Sequence, residues 1–347
     1  MDLEQKAERL IKEYNMIDSG DNILVAFSGG SDSSAMLFFL TKYLDQKNMI
    51  YAAHMNHMIR NPDAYNDEKF AVETCLKYNV KIFTECRNIP EIAKISKKTI
   101  EEAARDERYD FLKKTAGMIG GNVKIVTAHT ASDNTETVIF NLSRGCGLSG
   151  LSGIAPVNQN KNMNINIVRP FLSCSKHDIL QYCETNHISY VEDATNFDEN
   201  YTRNFIRHSI ASKLKEKFGS VDENIFKTTE IMRDTVDFLN CCVDDITKNY
   251  ANQSDGSNGI DVDFLLTRHK TLQRAVISKL YENAVAPDIK KLEYKHILYV
   301  EELLKTSKIS GNFDQSIDLP GLVTARVSKN KLIFKKIENK KTSRNRR

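Results

Sequence analysis

A chain of 347 residues, 41% hydrophobic and 27% charged with a formal net charge of +3, is long enough for two or three domains with their own cores, and its composition excludes disorder over most of its length. No run of about 18 apolar residues occurs, and the amphipathic, mixed-charge opening MDLEQKAERLIKEYN fits neither a membrane span nor a secretory signal, so the expected compartment is the cytoplasm and no membrane partner is expected. Seven cysteines, scattered and never in a C-x-x-C pair, exclude a disulfide framework, a zinc ribbon and a paired-cysteine redox centre.

In chain order, the apolar run Ile23, Leu24, Val25, Ala26 and Phe27 reads as a buried strand at 22–27; a helix at 32–45, a strand at 49–54, a helix at 65–79 and a strand at 80–85 follow. A long helix starts at about Thr99, whose hydroxyl caps it together with Glu102 three residues on; next come a strand at 122–127 and a helix near 132–142. This alternation predicts an α/β fold, a doubly wound parallel sheet of Rossmann-like architecture, which binds ligands beyond the carboxyl ends of its strands. SGGSDS, HMNHMIR and AHTASDN each follow directly on a predicted strand, so three motifs are expected to converge on one cleft. From about Phe197 the pattern turns helical, through RNFIRHSIASKLKEKF, a stretch at 221–252 and helices near 273–285 and 291–305. ANQSDGSNG reads as an exposed loop, and LPGLVTARVS and KLIFKKI as short strands near the end.

The chemistry is concentrated in VAFSGGSDSSAML, residues 25–37. Gly29 and Gly30 sit on a strand-to-helix turn, where glycine lets successive N–H groups point into one concavity at the positive end of a helix. Ser28, Ser31, Ser33 and Ser34 add hydroxyl donors suited to phosphate oxygens, while the lysine of a G-x-x-x-x-G-K-S/T loop is absent. Asp32 repels a bare phosphate and makes sense if Mg²⁺ bridges it to the phosphates.

SGGSDS resembles the pyrophosphatase loop of the PP-loop ATP pyrophosphatases, which cleave ATP between the α and β phosphates. HMNHMIR at 54–60, EEAARDERYDFL at 101–112, AHTASDNTET at 128–137, RGCGLSGLSGI at 144–154, VRPFL at 168–172 and EDATNFDENYTRNFIRHSI at 192–210 resemble, in order and spacing, the tRNA(Ile)-lysidine synthetase family. The likeness is strong over about 20–215 and weaker beyond, and the further domain of longer members is not expected. It implies residues 1–215 as a PP-loop catalytic domain and 216–347 as a mostly helical tRNA-binding domain with short carboxyl-terminal strands and a basic tail. It implies the family's reaction too. ATP adenylates the 2-oxo group of the wobble cytidine in a tRNA(Ile) with a CAU anticodon, and the ε-amine of free L-lysine then displaces AMP, so that the tRNA reads AUA instead of AUG. The partners implied are that tRNA, lysine, ATP and Mg²⁺; a homodimer is left open.

Residue by residue, the resemblance assigns Ser28, Gly29, Gly30, Ser31, Asp32 and Ser33 to the phosphates, Asp32 also to Mg²⁺, and Ala53, His54 and Met55 to the adenine through backbone groups. Arg105 is assigned to the adenylation transition state or the lysine carboxylate. His129, Asp133 and Glu136 complete the catalytic set, the two carboxylates sharing one helix face suited to an ammonium or a metal. Arg203, Asn204 and Arg207 are assigned to tRNA phosphates or to gating of the ATP site, Tyr201 to base stacking, and the glycine loop at 145–153 is expected over the cleft. Where the family string reads A-H-H-x-D-D-Q-x-E-T, this chain has Thr130, Ser132 and Asn134, and Met58 stands where glycine is common. A cytidine-thiolating sibling is expected to show paired cysteines. GMP and NAD synthetases leave the basic segment unexplained, and a tRNA binder without catalysis leaves the acidic residues without a purpose.

Overall fold

The computed structural model describes residues 1–44, 47–58, 63–160, 165–191, 202–254, 257–285 and 292–337; the whole EDATNFDENY string, Tyr201 included, and the basic tail beyond 337 lie outside these. The chain divides into two compact units, Met1–Met232 and Arg233–Arg347. Among the described residues no helix is long and apolar enough to cross a membrane.

The first unit is built on six strands: β1 (Asn22–Ala26), β2 (Met49–Asn56), β3 (Lys81–Cys86), β4 (Val123–Val126), β5 (Val157–Asn160) and β6 (Ile165–Val168), in the order β3-β2-β1-β4-β6-β5. All pair in parallel except β5, which runs antiparallel to β6 at the edge. The central strands are apolar because both faces are covered. On one face α1 (Leu3–Glu13), α2 (Ser31–Tyr43) and α8 (Lys176–Thr185) join a core containing Ile23, Val25, Phe39 and Phe171; on the other, α5 (Ile100–Ile119) packs Phe111 and Leu112 against Leu24, Ala53 and Ile125. Lys124 interrupts the apolar run of β4 while only 5% exposed; its ammonium lies 3.4 Å from Asp21 and 3.6 Å from Asp18.

Remaining helices of this unit are α3 (Asp63–Lys77), α4 (Ile89–Ser96), α6 (Ala131–Ser143), α7 (Leu148–Leu151), α9 (Thr202–Phe205) and α10 (Ser212–Phe218), the last two joined by a π-helical turn at Ile206–Ala211. The expected cap on α5 is present as a reciprocal box between Thr99 and Glu102. The compact units part inside α11 (Val221–Tyr250), because Phe226 joins the first core and Asp222 and Thr229 bond to α6.

In the second unit the helices α11, α12 (Val262–Leu266), α13 (Lys270–Ala284) and α14 (Tyr294–Ser310) predominate, as expected. They accompany a five-stranded antiparallel sheet, β7-β8-β11-β10-β9, formed by β7 (Ala251–Ser254), β8 (Ser257–Asp261), β9 (Asp314–Leu319), β10 (Val323–Ser328) and β11 (Lys331–Lys336). The ANQSDGSNG segment is therefore not a loop: β7 and β8 pair from Ala251↔Ile260 to Ser254↔Ser257. Ile260, Val262, Val276, Leu304 and Val327 share its core.

Candidate active site

The loop after β1 is shaped by glycine where the backbone requires it. Gly29 has φ +88°, which an L side chain rarely adopts, and a Cβ there would press on Phe70 at 3.3 Å. Ser28 N and Gly29 N both donate to Ser33 Oγ, at 3.3 and 3.2 Å, and Ser33 Oγ donates to Gly30 O at 3.0 Å. α1, α4, α5, α6 and α8 each start on a side-chain cap, whereas α2 starts on Gly30 without one. No side chain caps its first-turn N–H groups, at the helix end that favours negative charge.

Beyond the carboxyl ends of β1, β2 and β4 lies a cleft of about 550 Å³. The three strand-end motifs meet there: Ser28, Asp32 and Ser33 from the first, Ala53, His54 and Met55 from the second, His129 and Asp133 from the third. α5 adds Arg105, Arg108 and Tyr109, and α9 adds Arg203. His54 is buried and its Nδ1 lies 3.0 Å from Phe27 O; burial pushes its imidazole below the ordinary value, so the neutral ring donates from Nδ1. Met58 adopts φ +52°, so the position where glycine is common keeps a left-handed backbone here with a methionine on it.

The cleft mixes both signs of charge: Arg105, Arg108 and Arg203 line it together with Asp32, Asp67, Glu101 and Asp133. Burial first, then Arg169, Arg203 and Arg105, hold the half-buried His129 far below the usual imidazole range despite the opposing pull of Asp133. Burial raises Asp133, but the Thr130 N–H, Arg203 and Arg207 outweigh it, and this carboxylate stays ionised. Asp32 is pushed upward by burial and by Asp133, while Lys176, 2.6 Å away, pulls it back. Arg169 is 5% exposed and donates from Nη1 to Ala155 O at 2.6 Å. VRPFL marked its segment, but a lone arginine after a strand gave no sign of its neighbourhood; Lys176 likewise had no sequence signal.

Glu136 is 2% exposed and does not face the cleft as an open carboxylate. It takes Arg207 on both oxygens, at 2.5 and 3.2 Å, and Arg203 Nε at 3.3 Å, while Arg207 also lies 3.5 Å from Asp133. Asn204 lies between these arginines on the same helical segment, half-buried.

The departures from the family string are used structurally. Thr130 caps α6 in a reciprocal box with Asp133, whose Oδ2 accepts from Thr130 N at 2.8 Å and Oγ1 at 3.0 Å. Ser132 and Thr135 both donate to Asp222 at 2.7 Å, and Lys215 pairs with the same acid at 2.8 Å. Asn134, fully buried, donates to Thr229 Oγ1 at 3.2 Å and accepts from Ile154 N at 2.8 Å. The glycine loop, expected over the cleft, contributes none of its lining; it packs on α6, with Asn141 donating to Gly150 O at 2.9 Å.

A glycine–serine loop after the first strand of a doubly wound sheet, opening a helix without a side-chain cap, defines a PP-loop protein, and residues 1–214 match the PP-loop domain family. Over 338 residues the chain is 33% identical to the tRNA(Ile)-lysidine synthase of Caldanaerobacter subterraneus subsp. tengcongensis, covering 97% of this chain and 70% of that one. Against the enzyme of the same name from Thermotoga maritima it is 37% identical over 234 residues, 67% of this chain and 55% of the other. The chain belongs to the tRNA(Ile)-lysidine synthase family. It spans about half the length of most relatives it matches. Among solved structures, a U34-tRNA thiolase from Methanococcus maripaludis superposes with a TM-score of 0.55 at 15% identity, over 66% of this chain and 78% of that one, a likeness of fold.

Proposed function

We propose that the protein ligates free L-lysine to the wobble cytidine of a tRNA(Ile) bearing a CAU anticodon, in the cytoplasm, at the expense of ATP. In the first step the 2-oxo oxygen of the cytosine attacks the α-phosphorus and pyrophosphate leaves. In the second, the lysine ε-amine attacks C2, the ring carbon that bears the adenylated oxygen, the C–O bond breaks with AMP as leaving group, and the amine gives up its proton. A pyrimidine oxygen is a poor leaving group and AMP a far better one, so the three reactants must share one site shielded from water.

The observation that carries this reading is the meeting of the PP-loop, the carboxylates Asp32 and Asp133 and the arginines Arg105, Arg108 and Arg203 in one cleft of about 550 Å³. The PP-loop and the start of α2 receive the pyrophosphate, and the backbone at Ala53–Met55 receives the adenine. Arg105 and Arg203 reach the α-phosphate or the lysine carboxylate, and Asp133 the lysine ammonium. Neutral His129, its basicity lowered by burial, serves as a hydrogen-bond partner at the reacting groups, and the departing AMP phosphate takes the proton. Buried Glu136 works through Arg203 and Arg207, fixing them where phosphate of ATP or tRNA passes; the second unit and the basic segments bind the rest of the tRNA.

Asp32, with Asp133 close enough to raise its carboxyl, offers the hard oxygen donors that Mg²⁺ takes alongside phosphates. Bound there, Mg²⁺ supplies charge neutralisation for the leaving pyrophosphate. Incubating the protein with ATP, Mg²⁺, radiolabelled lysine and unmodified CAU tRNA should put label into the RNA, and Asp32→Ala should abolish it. Label that ignores the wobble cytidine, or none with wild-type protein, overturns the assignment.

A further inference from the structure

We propose that Lys176 is the cation of the PP-loop, supplied from a second helix, and that its ammonium contacts the terminal phosphate oxygens of bound ATP and then of pyrophosphate. The inference rests on the ATP-cleaving reading above. Phosphate loops of the G-x-x-x-x-G-K-S/T type carry their lysine in their own sequence, whereas residues 25–37 here hold no basic residue. Lys176 is the first residue of α8, and its Nζ lies 2.8 Å from Ser31 Oγ and 2.6 Å from Asp32 Oδ1. Two of the loop's own side chains thus already hold an ammonium at the start of α2.

The root of this lysine is fixed. Ser175 caps α8 reciprocally with Asp178, Asp178 accepts from Lys6 at 2.8 Å, and Cys183 Sγ reaches Ser31 O at 3.7 Å, so α8 is fastened to α1 and α2. The side chain beyond that root is 46% exposed, which leaves its head free to turn toward a ligand. Its present partner, Asp32, is the group that the proposed reaction offers to Mg²⁺. When a triphosphate with its metal enters, the two charges exchange partners: the ammonium turns to phosphate oxygens and the carboxylate is released. Lysine suits this exchange as a compact point charge on a flexible stem.

The competing reading is an ion pair that merely stiffens the loop. Calorimetric titration of inorganic pyrophosphate and, separately, AMP into wild-type, Lys176→Ala and Lys176→Arg proteins in Mg²⁺ buffer distinguishes them, with thermal melting alongside. We expect Lys176→Ala to bind pyrophosphate at least about tenfold more weakly, the size of one charge-assisted contact, with AMP affinity within about twofold of wild type and Lys176→Arg recovering part of the loss. Unchanged pyrophosphate affinity in Lys176→Ala, whether or not its melting temperature falls, overturns the proposal. Wild-type protein that binds pyrophosphate but incorporates no lysine into tRNA strikes the parent reading instead.

Discussion

Arg207 takes hold of Glu136 with two edges of its guanidinium, Nε at 2.5 Å from one carboxylate oxygen and Nη2 at 3.2 Å from the other. The acid is 2% exposed and the pair joins α6 to the π-helical turn 71 residues later. Lysine cannot reproduce the fork, so Arg207→Lys keeps the charge and loses the geometry. We expect it to lower stability by about 1.5–3 kcal/mol, the range for hydrogen bonds to charged groups, and to speed amide exchange over 202–211. Equal exchange in the two proteins would show that Arg203 alone holds the segment.

Thr130 is both N-cap and hydrogen-bond donor to Asp133. Thr130→Ala should cost about 1 kcal/mol in chemical denaturation, and Thr130→Ser should restore most of it.

Gly153 has φ +66°, and a Cβ on it would lie 2.2 Å from Asn134 Oδ1. Gly153→Ala should therefore destabilise by more than the roughly 1 kcal/mol of backbone strain alone, since Asn134 must also give up its bond from Ile154 N. A melting temperature within error of wild type would contradict the packing described around α6.

The buried imidazole of His54 has its folded-state pKa depressed below the unfolded value of 6.5, chiefly by burial. The unfolded chain then binds the extra proton first, so this contribution to stability is complete above the unfolded value and is lost as pH falls from there toward the folded one. Melting temperature should drop on acidification below about 6.5. His54→Asn retains a donor for Phe27 O and removes the proton, so it should flatten part of that slope; an unaltered slope would place its origin elsewhere.

Much of the first unit was legible because buried parallel strands are short apolar runs and each motif follows one directly. The Thr99–Glu102 box and the uncapped start of α2 are likewise local in sequence. Long-range pairing was not legible. The i,i+3 spacing of Asp133 and Glu136 reads as a pair of open carboxylates, and nothing in it announces that Arg203 and Arg207 arrive 67 and 71 residues later to claim the second. Lys176 reaches Asp32 across 144 residues and lies at an unremarked helix start. β7 and β8 are polar strands, so hydrophobic patterning missed them.

Asn134 touches two other stretches of chain, at Ile154 and at Thr229, 20 and 95 positions away, and it occupies the space a side chain on Gly153 would need. Lengthening it by one methylene to glutamine, as in the family string, means displacing these partners from a fully buried position. An Asn134→Gln variant with 153, 154 and 229 left as they are should therefore fold worse than this chain, so one buried amide on α6 limits what three separate stretches of sequence can each become.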